Sequence, residues 1–300
     1  MRAAYLGPAG TNSHEALVAA GLAAENVSFP TVGAVVAAVQ EGAAEFALVP
    51  IENSREGAVA ATLDALVFDA PDVRIVGELV HRVSYCLAAA DAITPDEVRT
   101  VHSHPQATGQ CARFLAEQLP GAAVIAAAST AEAMRAVAGG EALAGFTPHA
   151  AIGTQHAAAL YGAAVLAERI EDDAENATRF AWVAHAGSLG GGGDRADHGG
   201  LPATADHPAA PTAPVKTALV FWGGGDHAPG WLVDCLTEFS SRAISLTRIE
   251  SRPRRVGLGS YMFFCDLEGA AESAEIGAAI AGLRARCDSV RVLGSFPAAA

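Results

Sequence analysis

A chain of 300 residues, 51% hydrophobic and 17% charged, is long enough for about two domains and apolar enough to bury a core in each. Its 33 acidic and 19 basic residues give a net charge of −14, which argues against nucleic acid or an anionic membrane as the main partner. Lysine occurs once, at Lys216, which all but excludes Schiff-base, pyridoxal and P-loop chemistries. Strand-like and helix-like segments then alternate up to residue 186. Ala3–Gly7 reads as a strand, and the Gly7-Pro8-Ala9-Gly10 turn leads into a helix near Ser13. Val32, Val35, Val36 and Val39 fall at i, i+3, i+4, i+7, a helix face. Glu45–Pro50 reads as a buried strand, and Val59, Leu63, Leu66 and Val67 as another helix face. A helix over 131–138, stopped by Gly139-Gly140, precedes a strand around Ala144–Phe146. The pattern predicts an α/β unit with mainly parallel strands.

Residues 187–214 are Gly, Pro, Ala and His with hardly a large apolar side chain, and read as a flexible linker. Beyond it, strands at 218–222, 244–249, 258–266 and 289–293 interleave with two helix faces, Leu232/Cys235/Leu236/Phe239 and Ile276/Ile280/Leu283. That order is βαββαβ, the ferredoxin-like α+β plan. From Val215 onward basic and acidic residues are equal, nine of each, so the negative balance sits on residues 1–214. An anion bound there must be held by a few local donors. The five cysteines form no C-x-x-C and suit a reducing compartment. No run approaches the roughly 18–20 apolar residues of a membrane span, and no signal-peptide pattern opens the chain, so a cytoplasmic location is expected.

Five polar clusters interrupt the aliphatic chain. Thr11 in Gly7–Ser13, Glu52, Asn53 and Ser54 in Pro50–Ser54, and the pair Ser129-Thr130 lie where strands end or helices begin. Free N–H groups at such places bind anions, although helix capping explains each cluster singly. In Val101–Gln106, His102 and His104 stand at i, i+2 without a third ligand in view, so no metal is expected. Ser103 and Gln110 there suit recognition of hydroxyl or carboxylate oxygens. Asn176–Phe180 holds Arg179, whose guanidinium can grip a carboxylate bidentately or pair with nearby Glu171, Asp172, Asp173 or Glu175.

The words YLGPAGTNS (5–13), VPIENSREGAV (49–59), TLD (62–64), VHSHPQATGQC (101–111), STAEAM (129–134), AAIGTQHAAALYG (150–162) and NATRF (176–180) come in one order. With LTRIESRP (246–253), they resemble the prephenate dehydratase family with a C-terminal ACT regulatory domain, in its form without a chorismate mutase domain. The resemblance implies a two-lobed, type 2 periplasmic-binding-protein-like catalytic domain over 1–186. Lobe 1 would span about 1–77 and 158–186, and lobe 2 about 78–157. A linker at 187–214 and an ACT domain at 215–300 would follow, and the linker implies that 1–186 stays active when separated.

The implied reaction converts prephenate to phenylpyruvate, carbon dioxide and water in phenylalanine biosynthesis, with no cofactor and no metal. Thr178 would be the essential hydroxyl polarising the leaving group, Arg179 the carboxylate grip and Glu52 a proton source. Thr11, Asn53, Ser54, Ser103, Gln110, Ser129, Thr130 and Phe180 would bind substrate. L-phenylalanine or another aromatic amino acid would bind between subunits of a homodimer or homotetramer. Its pocket would be built from Pro229, Gly230, Trp231, Leu232, Glu250, Ser251, Arg252 and Pro253. Trp231 stands where the family usually has alanine and adds roughly 100 Å³, enough to fill much of such a pocket. Two other readings are an arogenate dehydratase, marked by an extra carboxylate in the cleft, and a non-catalytic cytosolic sensor on the same fold.

Overall fold

A computed structural model describes residues 1–141, 143–188 and 214–299; the linker reading for 189–213 lies outside the described residues. The first stretch runs β1 (Arg2–Leu6), α1 (Asn12–Ala19), β2 (Glu25–Phe29), α2 (Val32–Gln40), β3 (Phe46–Asn53), β4 (Gly57–Ala58), α3 (Ala60–Asp64) and β5 (Val73–Arg82). The second runs β6 (Cys86–Ala89), β7 (Thr100–Ser103), α4 (Pro105–Gln110), α5 (Ala112–Gln118), β8 (Ala123–Ala126), α6 (Thr130–Ala138), β9 (His149–Gly153), α7 (Gln155–Tyr161) and β10 (Ala164–Glu168). β11 (Ala177–His185) follows, then β12 (Val215–Trp222), α8 (Trp231–Ser240), β13 (Leu246–Pro253), β14 (Tyr261–Glu268), α9 (Ala274–Arg284) and β15 (Ser289–Pro297).

These strands form a mixed α/β architecture of three sheets. The first has the order β2-β1-β3-β11-β5 with β4 beside β3, the second β10-β6-β9-β7-β8, and the third β13-β14-β12-β15. The valine stripe of α2 is buried as its spacing requires, and Thr31 caps that helix. The chain passes between the first two sheets at 83–85 and 169–176, not near Glu78 and Ala158. The reason is that β5 pairs with β11 as far as Arg82, and that β10 pairs with β6. Nor are the sheets mainly parallel. β11 runs antiparallel to both β3 and β5, and β6 is antiparallel to β9 and β10. The strand expected at Ala144–Phe146 is a turn, because Gly145 sits at φ +106 and Phe146 exchanges 2.8 Å bonds with the Thr100 hydroxyl instead of a ladder.

The C-terminal sheet has the βαββαβ connectivity and antiparallel pairing of the split ferredoxin-like plan. One face is covered by α8 and α9. The other packs on the first lobe, so that Ala218, Val220, Met262, Phe264, Leu293 and Phe296 share one buried cluster with Val35, Leu66, Ile75, Ala181 and Val183. β15 passes so close to β5 that a Cβ at Gly294 would collide with the Ile75 carbonyl. Arg291 donates to the carbonyls of Ala70 at 2.9 Å and Pro71 at 2.8 Å, and Asp64 pairs with Arg252 at 2.9 Å and Arg255 at 2.8 Å. The two parts are therefore joined by a common core as well as by the chain, which is hard to reconcile with a separable 1–186.

Burial alone would push the Asp64 carboxyl up, but the guanidiniums of Arg252 and Arg255 outweigh it and hold it below the usual carboxylate value. Its folded pKa is thus depressed, so its contribution to docking is complete above the unfolded pKa near 3.9 and fades as pH falls through the lower folded value. Acid titration of wild type and Asp64→Asn, followed by melting temperature, should give curves that differ above about pH 4 and converge below it.

Candidate active site

A cleft of about 430 Å³ opens between the first two sheets. From the first lobe it receives Thr11, Asn12 and Ser13 at the start of α1, Pro50 and Asn53 of β3, and Thr178 and Phe180 of β11. From the second it receives Tyr85, His104, Gln106, Gln110 and, at the start of α6, Ser129 and Thr130. Two helix N-termini therefore face the cleft from opposite lobes, each with first-turn N–H groups that have no intrahelical acceptor. Among the described residues, no Asp, Glu, Lys or Arg side chain lines it.

A chain of amide side chains sets the donors in this cleft. Asn53 Oδ1 accepts from the backbone N–H of Arg55 at 3.0 Å and of Glu56 at 3.1 Å, which fixes which amide atom points the other way. Its Nδ2 then donates to Thr178 Oγ1 at 3.0 Å and to Asn176 Oδ1 at 3.1 Å. Asn176 Nδ2 donates in turn to Gln110 Oε1 at 2.9 Å. Thr178 and Gln110 are thus acceptors towards the network, and the Thr178 hydroxyl hydrogen and the Gln110 NH₂ group are left for the cleft. Asn12 Nδ2 donates to the Tyr85 hydroxyl at 3.4 Å while its Oδ1 is buried without a partner. Burial pushes the Tyr85 phenol up to about 12, so it stays neutral.

Several expected site residues lie elsewhere. Arg179 faces away from the cleft, because adjacent strand residues point to opposite sides of the sheet and Thr178 and Phe180 take the cleft side. Its Nε donates to Glu52 at 3.0 Å, Nη1 to Glu78 at 3.1 Å and Nη2 to Asp266 at 2.8 Å. Arg179 is therefore not the carboxylate grip, and Glu52, held on that rear face, is not a proton source for the cleft. Ser103 is fully buried and donates to the Ile152 carbonyl at 2.7 Å, tying β7 to β9. Ser54 accepts from the Ala177 N–H at 3.0 Å at an exposed turn outside the cleft wall. Thr11 does line the cleft, but its hydroxyl is used locally, donating to the Leu6 carbonyl at 2.8 Å and capping α1. His102 pairs with His149 at 3.1 Å, and no group of three metal-binding side chains occurs among the described residues.

Comparison with known proteins fits this geometry. The sequence profile of the prephenate dehydratase family matches residues 3–188. A prephenate dehydratase of Mycolicibacterium vanbaalenii is 38% identical over 309 aligned positions, covering 98% of this chain and 90% of that protein. The chain belongs to the prephenate dehydratase family. The crystal structure of the Arthrobacter aurescens prephenate dehydratase in complex with L-Phe is similar over 99% of this chain and 90% of that one, with 32% identity and a TM-score of 0.81. GqqA, described as a novel type of quorum quenching acylase, matches at 27% identity and the same TM-score of 0.81, over 100% of this chain and 98% of that one.

Against the family words, the amide chain adds Asn176, and the cleft adds Asn12, Tyr85, His104 and Gln106, none of which the sequence reading placed as substrate contacts. Asn176 carried a signal, since it opens the word that holds Thr178. Tyr85 carried none, for it lies in the crossing segment between lobes. In the C-terminal unit a smaller pocket of about 200 Å³ is walled by Gly230, Trp231, Leu232, Tyr261 and Phe263. Trp231 is buried against Phe221 and Phe263, ring centres 6.1 and 6.0 Å away, and its Nε1–H donates to the Arg286 carbonyl at 3.2 Å. It is neither turned outward nor free to fill the pocket. Pro229 and the Glu250–Pro253 word do not line this pocket, and Arg252 is engaged with Asp64.

Proposed function

We propose that this chain is a prephenate dehydratase that removes the ring hydroxyl and ring carboxylate of prephenate together, giving phenylpyruvate, carbon dioxide and, with one proton taken up from solvent by the departing hydroxyl, water. The observation that carries the reading is the orientation of Thr178. Its oxygen accepts from Asn53, so its hydrogen is free to donate to a departing hydroxyl in the cleft between the lobes. The donor is positioned before substrate arrives, so little reorganisation is needed as charge builds on the leaving oxygen. The carboxylates of the dianion meet neutral donors, namely Gln110 and the N–H groups at the starts of α1 and α6. Neutral donors suit a carboxylate that must shed its charge as carbon dioxide, where a bidentate arginine would hold that charge in place. Formation of the aromatic ring supplies the driving force.

Among the described residues the cleft wall offers no carboxylate for the ammonium that distinguishes arogenate, which favours prephenate. Among the same residues it offers no carboxylate to orient His104 for acyl transfer of the triad kind. Turnover of prephenate and arogenate by the full chain, followed by phenylpyruvate absorbance and by amino-acid analysis, tests the reading. The expected result is a kcat/KM for prephenate at least about 100-fold above that for arogenate, since an unpaired ammonium in this cleft would lose its hydration without compensation. Equal values would overturn it.

The 215–299 unit is read as an ACT-type regulatory domain following a catalytic domain of two lobes, with an aromatic amino acid such as phenylalanine as effector. The L-Phe complex of the Arthrobacter aurescens relative supports that choice. The separation of Gly230–Leu232 from Glu250–Pro253 within one chain fits a pocket completed by a second subunit, in a homodimer or homotetramer. A cytoplasmic site of action goes with this metabolic role; among the described residues no helix is long and apolar enough to cross a membrane.

A further inference from the structure

Behind the catalytic strand lies a cluster of six charged side chains shared equally between the two parts of the chain. Glu52, Glu78 and Arg179 come from the first lobe, and Lys216, Arg248 and Asp266 from the C-terminal sheet. Three are anions and three are cations, so the cluster is neutral only when both parts are present. Arg179 reaches one carboxylate on each of three strands, Glu52 on β3, Glu78 on β5 and Asp266 on β14. Asp266, 1% exposed, also accepts from Arg248 Nε at 2.9 Å and Nη2 at 3.0 Å. Glu78, 2% exposed, accepts from Lys216 Nζ at 2.7 Å and from the Ala299 N–H at 2.9 Å. The pairing of β11 with β3 shifts register immediately after Arg179, whose partner is Glu52 while Phe180 pairs with Pro50. The extra residue, Ile51, lies on β3, so the ladder beside Arg179 is interrupted there and the side-chain contacts of Arg179 take its place in holding β11.

We infer that Arg179 is a positioning residue for Thr178, and that the C-terminal sheet completes the catalytic strand by clamping Arg179 through Asp266. Thr178 and Arg179 share one peptide unit, so a displacement of the guanidinium rotates the backbone that aims the hydroxyl. Three carboxylates in three directions leave the guanidinium one place to sit. β14 also carries Tyr261 and Phe263, which wall the C-terminal pocket, and Phe263 lies three residues, about 10 Å along the strand, from Asp266. The clamp thus stands between that pocket and the cleft. Its substrate readout rests on the dehydratase reading above.

Full-chain wild type, Asp266→Asn, Lys216→Gln and Arg291→Met are to be compared by prephenate kinetics and by hydrogen exchange of the Thr178–Phe180 amides. Wild-type turnover tests the dehydratase reading by itself, and exchange reads the strand without any substrate. Asp266→Asn is expected to lower kcat about tenfold or more with KM within about twofold, because the hydroxyl is mis-aimed while the binding groups remain. Lys216→Gln, which loosens only the Glu78 arm at the rim, should lower kcat about threefold and also speed exchange. Arg291→Met breaks hydrogen bonds at the same docking face but touches none of the six groups. It should lower the melting temperature and leave kcat unchanged. Wild-type kcat and exchange in Asp266→Asn overturn the inference, as does an equal fall of kcat in Arg291→Met, which would mean simple undocking. Should Asp266→Asn fail to fold, wild-type kcat and exchange in Lys216→Gln overturn it instead.

Discussion

Thr178→Ala is expected to lower kcat by about 100- to 1,000-fold with little change in KM, since the lost hydrogen bond strengthens only as the hydroxyl departs. The structure sharpens the expectation. Thr178 is 9% exposed and its oxygen is already committed to Asn53, so the alanine variant leaves Asn53 Nδ2 with its bonds to Asn176 and the Ala177 carbonyl. The cleft wall should stay in place, and substrate affinity with it. Thr178→Ser keeps the oxygen and should retain most of the rate. Stopped-flow or steady-state absorbance of phenylpyruvate measures both, and a kcat within threefold of wild type in the alanine variant would remove Thr178 from the mechanism.

The second large effect is expected on cutting the chain after Ser188. The linker composition suggests that a 1–186 fragment works alone, whereas the docking face suggests that it does not. Removing residues from 215 onward takes away the C-terminal share of the core around Ile75, Ala181 and Val183 of the sheet and leaves Glu78 without Lys216 and Arg179 without Asp266. Breaking one buried pair by removing a partner typically costs about 3–5 kcal/mol, comparable to much of a small domain's stability of about 5–15 kcal/mol. The fragment should therefore be poorly soluble or melt far below the full chain, with kcat down by about tenfold or more where it does fold. A 1–188 fragment with the full chain's kcat and melting temperature would show that the docking face is dispensable. Adding the 214–300 piece back in trans should restore activity if the interface alone is responsible.

Much of this protein is written locally. The valine stripe of α2, the Thr31 and Ser129 caps and the βαββαβ order depend on neighbours a few residues apart, and the structure has each of them. The family words carry the positions of Thr178, Asn53, Gln110, Ser129, Thr130 and Phe180, which strand ends and helix starts bring to one cleft. A strand's alternation was also available as a restraint. With Thr178 and Phe180 in the cleft, period two sends Arg179 to the other face, and an isolated view of its chemistry as a carboxylate binder overlooks that.

What no local reading supplies is the identity of whatever waits on that other face. Asp266 lies 87 positions from Arg179 and Glu78 lies 101 positions from it. Their meeting depends on the C-terminal sheet lying against the first lobe, which rests on a distributed apolar contact around Gly294 and Ile75. Linker composition says only that two parts can move apart. Whether they do is decided by surface complementarity, a property of two folded faces rather than of any segment. The sequence alone thus determined the family and many of the elements, and pointed to Thr178 as the hydroxyl proposed to act. Tertiary structure alone decided that the neighbouring arginine is buried in a charge cluster shared by both parts, because only folding brings its three carboxylates within hydrogen-bond distance.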